Sequence, residues 1–252
     1  MDYYKPKNLK EAYALKKKIP KSVYLAGGTI LSWRGKPKAD ALIDLKDVGL
    51  KGVKVKKDSV EIEALLTLQE IIDRKIPLIA SVAKVSTNRN IRNMATIGGN
   101  LAGNFFVSHL KPALLALNAK VTYFANGRKQ RETLKSWLIK KEGILCSVSF
   151  KRNRNITFRE TKVAASDFPA VFTVFGYEKQ RQKVKNFSVA MSGLTGKVDF
   201  MEKLPETLDA RKLNAFIQSK IKPVGDIKVS AEVKRRIVYD HIISILEELG
   251  RR

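Results

Sequence analysis

Two short glycine-rich segments constrain this chain of 252 residues more than any other feature. Gly27-Gly28-Thr29 directly follows the apolar run Val23–Ala26, which predicts a strand, and Gly98-Gly99-Asn100 follows Thr96 later in the chain. Glycine at a sharp turn permits positive φ and lets a ligand approach the backbone. Successive N–H groups in such a turn can form an anion-binding nest. Two nests, with hydroxyl donors from Thr29 and Thr96, would suit a diphosphate.

Neither segment matches a common nucleotide-binding motif. No Lys follows the glycines at the Walker A spacing, and the pattern G-x-G-x-x-G is absent from both segments. On these residues alone, two tight turns without a ligand are the alternative interpretation, because short glycine motifs often match by chance.

The charge balance raises the question of a polyanionic partner. Lys and Arg number 49 against 24 Asp and Glu, which gives a formal net charge of +25. The basic residues are spread along the whole chain, and no zinc finger, RNA-recognition signature or basic zipper is present. This distribution favours solvated surface lysines over a nucleic-acid site. An acidic protein partner, steered by opposite charge, is a third option.

The cysteine, histidine and hydropathy content excludes several classes of protein. With Cys146 as the single cysteine, the chain alone forms no disulfide, Cys-ligated zinc site or iron–sulfur cluster. His109 and His241 are the two histidines, which argues against a His-based metal site or a conventional triad. No apolar run approaches the roughly 18–20 residues of a membrane helix, and no signal peptide is visible. We therefore expect a cytoplasmic protein without a membrane partner.

The hydropathy pattern predicts an α+β chain in two parts. Asn126-Gly127, between Lys120–Ala125 and Arg128–Glu132, predicts a β-hairpin. Val171–Tyr177 and Val184–Met191 predict a second antiparallel pair, and the chain from about Glu206 onward predicts helices. We place a boundary near residue 152, which divides the chain into 1–152 and 153–252.

The two glycine segments resemble a pair of known motifs when they are taken together. Leu25–Thr29 and Arg92–Asn100 resemble the two FAD-binding motifs of the flavoprotein subunit of molybdenum hydroxylases, a family that includes xanthine dehydrogenase and aerobic carbon monoxide dehydrogenase. Further segments resemble the family in order along nearly the whole chain: Ala41–Asp47, Pro112–Ala119, Ser166–Pro169, Ser192–Leu194 and Ser230–Arg236. These motifs are specific as a set, although none is specific alone.

The resemblance implies a fold, a cofactor and a set of binding residues. Residues 1–152 would form a two-lobed FAD-binding domain of the vanillyl-alcohol-oxidase type, with lobes of about 1–52 and 53–152, and 153–252 a small α+β domain with an antiparallel sheet and helices. FAD would lie between the lobes. The residues implied to bind it are Leu25, Ala26, Gly27, Gly28, Thr29, Ile30, Leu31, Ala95, Thr96, Gly98, Gly99, Asn100, Ser108, His109, Leu145 and Arg159.

By resemblance, Ser108 and His109 would lie near the adenosine half of FAD, Leu145 against the flavin ring, and Arg159 close enough to favour reduced, anionic flavin. Some residues depart from the family pattern. His109 replaces an acidic residue, so a surface histidine is an equal alternative, and Phe105 and Phe106 are interpreted as core.

The resemblance also implies a division of chemistry among subunits. A molybdenum-cofactor subunit would oxidise the substrate, and a [2Fe–2S] subunit would relay electrons to FAD on this chain, which would pass them to NAD or another acceptor. No catalytic residue and no metal ligand is expected here, because the flavin performs the redox chemistry. A degenerate scaffold without FAD, or less plausibly a nucleic-acid-binding protein, are the alternatives.

Overall fold

The protein divides into two compact units. In the computed structural model, described for residues 1–33, 35, 38–105, 107–165, 167–180, 183–205 and 209–250, the first unit comprises Met1–Lys84, Asn88–Gly103 and Asn118–Phe150. The second comprises Val85–Thr87, Asn104–Leu117 and Lys151–Arg252. The sequence predictions for Phe106, Ser166 and the helix start near Glu206 lie outside the described residues. The division into domains at 1–152 and 153–252 remains a prediction.

The first unit contains a small parallel sheet and a larger antiparallel one. The parallel sheet has the order β1-β3-β2, with strands Asp2–Tyr4 (β1), Val23–Leu25 (β2) and Ala41–Asp44 (β3). The second sheet has the order β4-β5-β8-β6-β7, with strands Val53–Val55 (β4), Ser59–Glu63 (β5), Lys120–Ala125 (β6), Arg128–Thr133 (β7) and Ile144–Lys151 (β8).

Short helices, most of them with a side-chain cap, connect these strands. Thr67 and Glu70 form a complete capping box, in which each side chain accepts from the other residue's backbone N–H. The helices are Leu9–Lys18 (α1), Thr29–Trp33 (α2), Leu68–Asp73 (α3), Ala80–Ser86 (α4), Arg89–Met94 (α5), Ile97–Ala102 (α6) and Leu134–Lys140 (α8). Helices α1, α3, α5, α6 and α8 thus begin after an Asn or Thr whose side chain accepts from an N–H group of the first turn.

The second unit packs helices on an antiparallel sheet of order β12-β11-β10-β9. Its strands are Arg154–Thr161 (β9), Val171–Gln180 (β10), Lys183–Ser192 (β11) and Asp199–Met201 (β12), and its helices are Leu110–Ala116 (α7), Ala210–Lys220 (α9) and Ala231–Glu248 (α10). Phe175 and Met191 of the sheet share a buried cluster with Leu213 and Ile242 of the last two helices. Burial of this apolar surface is the main force that joins helices to sheet.

The architecture is therefore mixed α/β, which agrees with the predicted class at that level. The Asn126-Gly127 hairpin is confirmed, with φ of 51° and 79° at its two turn residues. Among the described residues, no helix is long and apolar enough to cross a membrane.

Candidate functional site

The first glycine segment leaves the carboxyl end of a parallel strand. Leu25 ends β2 beside Asp44 of β3, and its carbonyl accepts from the N–H of Leu45 at 2.8 Å. The chain then turns through Gly28, which has φ +71°, a conformation that costs a residue with a Cβ about 1–2 kcal/mol. Helix α2 begins directly afterwards at Thr29. The positive φ at Gly28 explains why this position carries glycine.

This turn presents unpaired backbone donors. Within the described part of the chain, the N–H groups of Gly27, Gly28, Thr29, Ile30 and Leu31 have no hydrogen-bond acceptor, and the next N–H, that of Ser32, bonds the carbonyl of Gly28 at 2.9 Å. All of these residues but Ser32 are half-buried. Consecutive N–H groups in a turn of this kind form a positively polarised concavity that suits phosphate oxygens.

The second glycine segment uses its donors within the protein. The N–H groups of Ile97 and Gly98 donate to the carbonyls of Leu66 and Ala64 at 3.0 and 2.8 Å. Gly99 donates to Oγ1 of Thr96 at 3.0 Å, which caps α6. The expectation of a second free nest is therefore wrong for this segment. What Thr96 retains is its own hydroxyl proton, because its oxygen accepts the bond from Gly99.

The structure brings the two segments together. A Cβ on Gly27 would overlap the carbonyl oxygen of Met94 and lie 2.7 Å from its carbon. A Cβ on Gly99 would lie 4.0 Å from Cβ of Ala26. Gly98 has the same steric role toward another neighbour, because its Cβ would lie 2.7 Å from that of Ala64. Gly27 and Gly98 thus allow backbone segments to approach more closely than side chains would permit, whereas a Cβ on Gly99 would make only an ordinary contact with Ala26.

The residues of these two segments can bind a ligand but cannot transfer protons. Leu25–Leu31 and Ala95–Asn100 contain no acidic, basic, His or Cys residue, so they offer no general acid or base. Leu145, in β8, is 7% exposed and lies opposite Tyr123. Burial raises the pKa of the adjacent Cys146 thiol to about 11, so this cysteine is not a thiolate nucleophile at neutral pH.

Ser108 and His109 lie in the second unit and are both buried. The Ser108 N–H donates to Oγ of Ser192 at 3.3 Å, and that hydroxyl donates to the Ser108 carbonyl at 2.7 Å. His109 is 3% exposed, its Nε2 is 2.9 Å from Glu160 Oε2, and its ring stands edge-on to Phe172. Burial alone would raise the pKa of Glu160, but His109 and Lys162 hold it below its ordinary value.

Arg159 is held by the terminal helix of the second unit. Its Nε donates to Oγ of Ser244 at 2.9 Å, and its Nη2 lies 2.7 Å from Oε2 of Glu248. The neighbouring His241 lies between the hydroxyls of Thr161 and Thr173, at 2.9 and 3.1 Å. Burial, and then the charge of Arg159, lower the pKa of His241 to about 4.

Several of these contacts escaped prediction from the sequence. Glu160, Glu248 and Ser244 each hold a predicted site residue, yet they lie 51 to 89 positions away from it in the chain. No local pattern marks such long-range partners. The packing role of Met94 could have been suspected from the sequence, because Met94 lies inside the second motif, Arg92–Asn100.

Comparisons with known proteins agree with the resemblance. Residues 1–147 match the family model described as the FAD binding domain in molybdopterin dehydrogenase. The chain is 34% identical over 111 residues to the carbon monoxide dehydrogenase medium chain of Afipia carboxidovorans, covering 40% of this chain and 38% of that one. It is 30% identical over 135 residues to the nicotinate dehydrogenase FAD-subunit of Eubacterium barkeri, covering 48% and 44%. The matched segments thus span less than half the length of these curated relatives.

The fold extends the similarity over the whole chain. The structure titled reconstituted CO dehydrogenase from Oligotropha carboxidovorans matches with a TM-score of 0.87, covering 100% of this chain and 98% of that chain. The sequence identity in this match is 19%, so it shows the fold alone.

Proposed function

This chain belongs to the family of FAD binding domains in molybdopterin dehydrogenases, and we propose that it is the FAD-binding electron-transfer subunit of a molybdenum hydroxylase. In this role it takes electrons from [2Fe–2S] clusters on a partner subunit and passes them to NAD or another acceptor. A molybdenum-cofactor subunit completes the complex. The relatives named as dehydrogenase chains support this proposal, as does the single cysteine, which leaves the clusters to another chain.

The observation that carries the proposal is the run of unpaired N–H groups from Gly27 to Leu31. It fits the pyrophosphate of FAD, because fixed backbone dipoles bind phosphate oxygens without a charged side chain. Gly28 sets the turn by its positive φ. Thr96 supplies a hydroxyl donor from the second segment, whose backbone is held rigid by its own hydrogen bonds.

The protein's part in the reaction is to bind and position. Bound FAD would supply the redox chemistry, accepting electrons and releasing them to the final acceptor. Leu25–Leu31 and Ala95–Asn100 hold no proton-transferring group, and Cys146 stays a neutral thiol, so the site of the first unit adds no covalent or acid–base step. Leu145 remains the apolar residue that we propose packs against the flavin ring.

The finer features of the resemblance belong to the same proposal. The parallel sheet of 2–44 and the antiparallel sheet of 53–151 support two lobes of the vanillyl-alcohol-oxidase type, about 1–52 and 53–152. Ser108 and His109 remain proposed contacts of the adenosine half. Arg159 remains the proposed cation near the flavin, and its present partners Ser244 and Glu248 would fix its position.

Cofactor analysis of the purified chain tests the proposal. We expect one non-covalent FAD per chain, released by denaturation and identified by chromatography. For apoprotein, we expect FAD and ADP, which carry a diphosphate, to raise the melting temperature, since a ligand that binds only the folded state stabilises it. Riboflavin, which has no phosphate, serves as the control. Bound FMN in place of FAD, or stabilisation by riboflavin alone, would overturn the proposal, and a folded chain that binds no flavin would support the scaffold alternative.

A further inference from the structure

The outer strand of the five-stranded sheet has a free edge. β7 ends the order β4-β5-β8-β6-β7, so among the described residues it pairs on one side only. Because a two-residue turn joins β6 to β7, Ala125 and Arg128 form a hydrogen-bonded pair, and the pattern alternates from there. The N–H and C=O groups of Lys129 and Arg131 therefore point away from β6, toward the free edge.

The side chains of the same two residues lie on one face of the sheet. Arg131 stands opposite Thr122, and its Nη2 donates to Oγ of Ser149 at 2.9 Å. Lys129 stands opposite Phe124 on the same face. Both basic side chains are exposed. Lys129 therefore places positive charge beside the outward main-chain groups, and Arg131 adds a second cation on the same face, where its guanidinium reaches over β6 to β8.

Helix α1 adds a third cation at the turn end of the strand. The Tyr13 ring packs edge-on against Phe124 at 5.8 Å, and its hydroxyl donates to Asn126 at 3.0 Å. Lys17 Nζ lies 5.6 Å from the centre of the Tyr13 ring. Lys17, Lys129 and Arg131 together form what we call the basic strip.

The strip keeps its positive charge. None of the ion pairs found in the described part of the chain involves these three residues. Glu132 alternates to the other face of β7, where Lys140 lies 3.9 Å from it. Glu61, on β5, is three strands from β7, roughly 14 Å at ordinary strand spacing. It accepts a bond from Ser147 at 2.8 Å.

We propose that β7 and the basic strip dock an extended, acidic segment of a partner protein, which adds to the free edge as a further strand. An extended peptide satisfies both the outward N–H and the outward C=O groups, and alternate carboxylates meet Lys129 and Arg131. A DNA backbone accepts hydrogen bonds but does not donate them, so it would leave the carbonyls unpaired. The strip also lacks an open aromatic face for stacking bases, because Phe124 is 5% exposed and Lys17 lies over Tyr13.

Binding of a synthetic peptide to the full chain tests this inference. The probe is a fluorescent peptide of about ten residues that alternates Glu with Val, a length suited to pairing with one strand. We expect saturable binding by anisotropy at physiological salt, with slowed hydrogen exchange at the amides of Lys129 and Arg131. A peptide that alternates Glu with Pro keeps the charge but cannot extend a sheet, so it should bind far more weakly.

Variants separate charge from strand pairing. Lys129→Gln with Arg131→Gln should weaken peptide binding about tenfold or more by removing two cations. Lys54→Gln with Lys57→Gln, at the opposite edge of the sheet, removes the same charge and should leave binding nearly unchanged. Lys129→Pro also removes an outward N–H while the inward donors of Arg128 and Gln130 remain, so it should weaken binding further than Lys129→Gln.

The outcomes decide between three roles for this edge. Equal binding of the Glu–Pro peptide, or equal losses in the two glutamine pairs, would refute strand addition at β7. No peptide binding would leave the lysines as guards against edge-to-edge aggregation, and duplex DNA that binds where the peptide does not would favour nucleic acid. FAD content, measured on the same samples, reports on the proposed function independently of this surface.

Discussion

Two regions carry residues predicted to bind the cofactor, and they differ in whether their polar groups already have hydrogen-bond partners within the protein. In the first unit, the N–H groups of Gly27–Leu31 have no partner in the described chain. In the second unit, Ser108, His109 and Arg159 are each engaged by side chains of that unit. The first region therefore offers unused donors to a ligand, whereas the polar groups of the second already have partners within the protein.

The second glycine segment lies between these extremes. Its backbone N–H groups donate to Leu66, Ala64 and Thr96. The carbonyl of Met94, just before this segment, is the backbone group against which Gly27 packs. Two glycine pairs that look alike in sequence therefore have different physical roles. The first provides donors, and the second provides a rigid backing for them.

The largest effect should follow from Gly27→Ala. The added Cβ would overlap the carbonyl oxygen of Met94, which is backbone and cannot rotate away. We expect a loss of about 3 kcal/mol or more in the free energy of unfolding, since overpacking of this severity forces backbone shifts. FAD should be absent from the purified variant. Chemical denaturation and flavin extraction measure the two effects.

Gly99→Ala is the matched control for that substitution. Its Cβ would meet only Oγ1 of Thr96 at 3.0 Å and Cβ of Ala26 at 4.0 Å. We expect a smaller loss of stability and partial retention of FAD. If both variants lost FAD equally, the contrast between donor segment and backing segment would be refuted.

Sequence patterns predicted this part of the molecule well because the determinants are local. The predicted turn at Asn126-Gly127 depends on a few adjacent residues and is confirmed, and the capping box at Thr67 is equally local. Residues 86–93 form a polar stretch without an obvious apolar period, yet helix α5 begins there after its cap Asn88. Helix α7 begins at Leu110, two residues before the Pro112 that would suit a first helical turn. Such boundaries depend on packing that a linear pattern does not contain.

The candidate site was predictable to the same extent. Glycine motifs marked both segments, but which N–H groups stay free depends on distant acceptors such as Leu66 and Ala64. Likewise, the contacts of His109 and Arg159 were invisible because their partners Glu160 and Glu248 lie far away in sequence. The residue types were enough to predict the kind of site. Which groups form hydrogen bonds with one another could be known only from the folded structure.

The stability of the second unit should depend on pH through the buried side chain of His241. The pKa of His241 is lowered to about 4 from an ordinary 6.5, by burial and by Arg159. Between these values the unfolded chain binds more protons than the folded chain, so stability falls as the pH is lowered through this window. The loss approaches roughly 3 kcal/mol near pH 4, at 1.36 kcal/mol per pKa unit. In His241→Gln, denaturation midpoints measured from pH 7 to 4 should fall less steeply, and an unchanged slope would contradict the assignment.

Gly28→Ala should have a smaller effect on folding but a specific one on the cofactor. Its φ of +71° costs an alanine about 1–2 kcal/mol, and its Cβ would meet only Leu25 Cδ1 at 3.3 Å. Relief of this strain would rotate the neighbouring N–H groups, so we expect weaker FAD binding in titrations of apoprotein.

Gly49→Ala is the control for Gly28→Ala. Gly49 has φ +77° and open space around it, so it should show a similar loss of stability with normal FAD affinity. Equal FAD affinities in the two variants would remove Gly28 from the binding site.

The smallest effects are expected at Arg159, where they decide whether the second region touches the redox chemistry at all. Arg159 and Glu248 are 31% and 49% exposed, and ion pairs as exposed as this contribute about 0–1 kcal/mol to stability. Arg159→Gln and Glu248→Gln should therefore both stay within about 1 kcal/mol of the parent. Their charges are opposite, so a flavin nearby would respond oppositely. A positive group favours the reduced, more negative form, hence Arg159→Gln should lower the flavin potential slightly and Glu248→Gln should raise it. Flavin potentials are measured by dye-coupled titration. Identical potentials in parent and variants would mean that Arg159 and Glu248 only anchor α10, and that the second region has a structural role and no redox role.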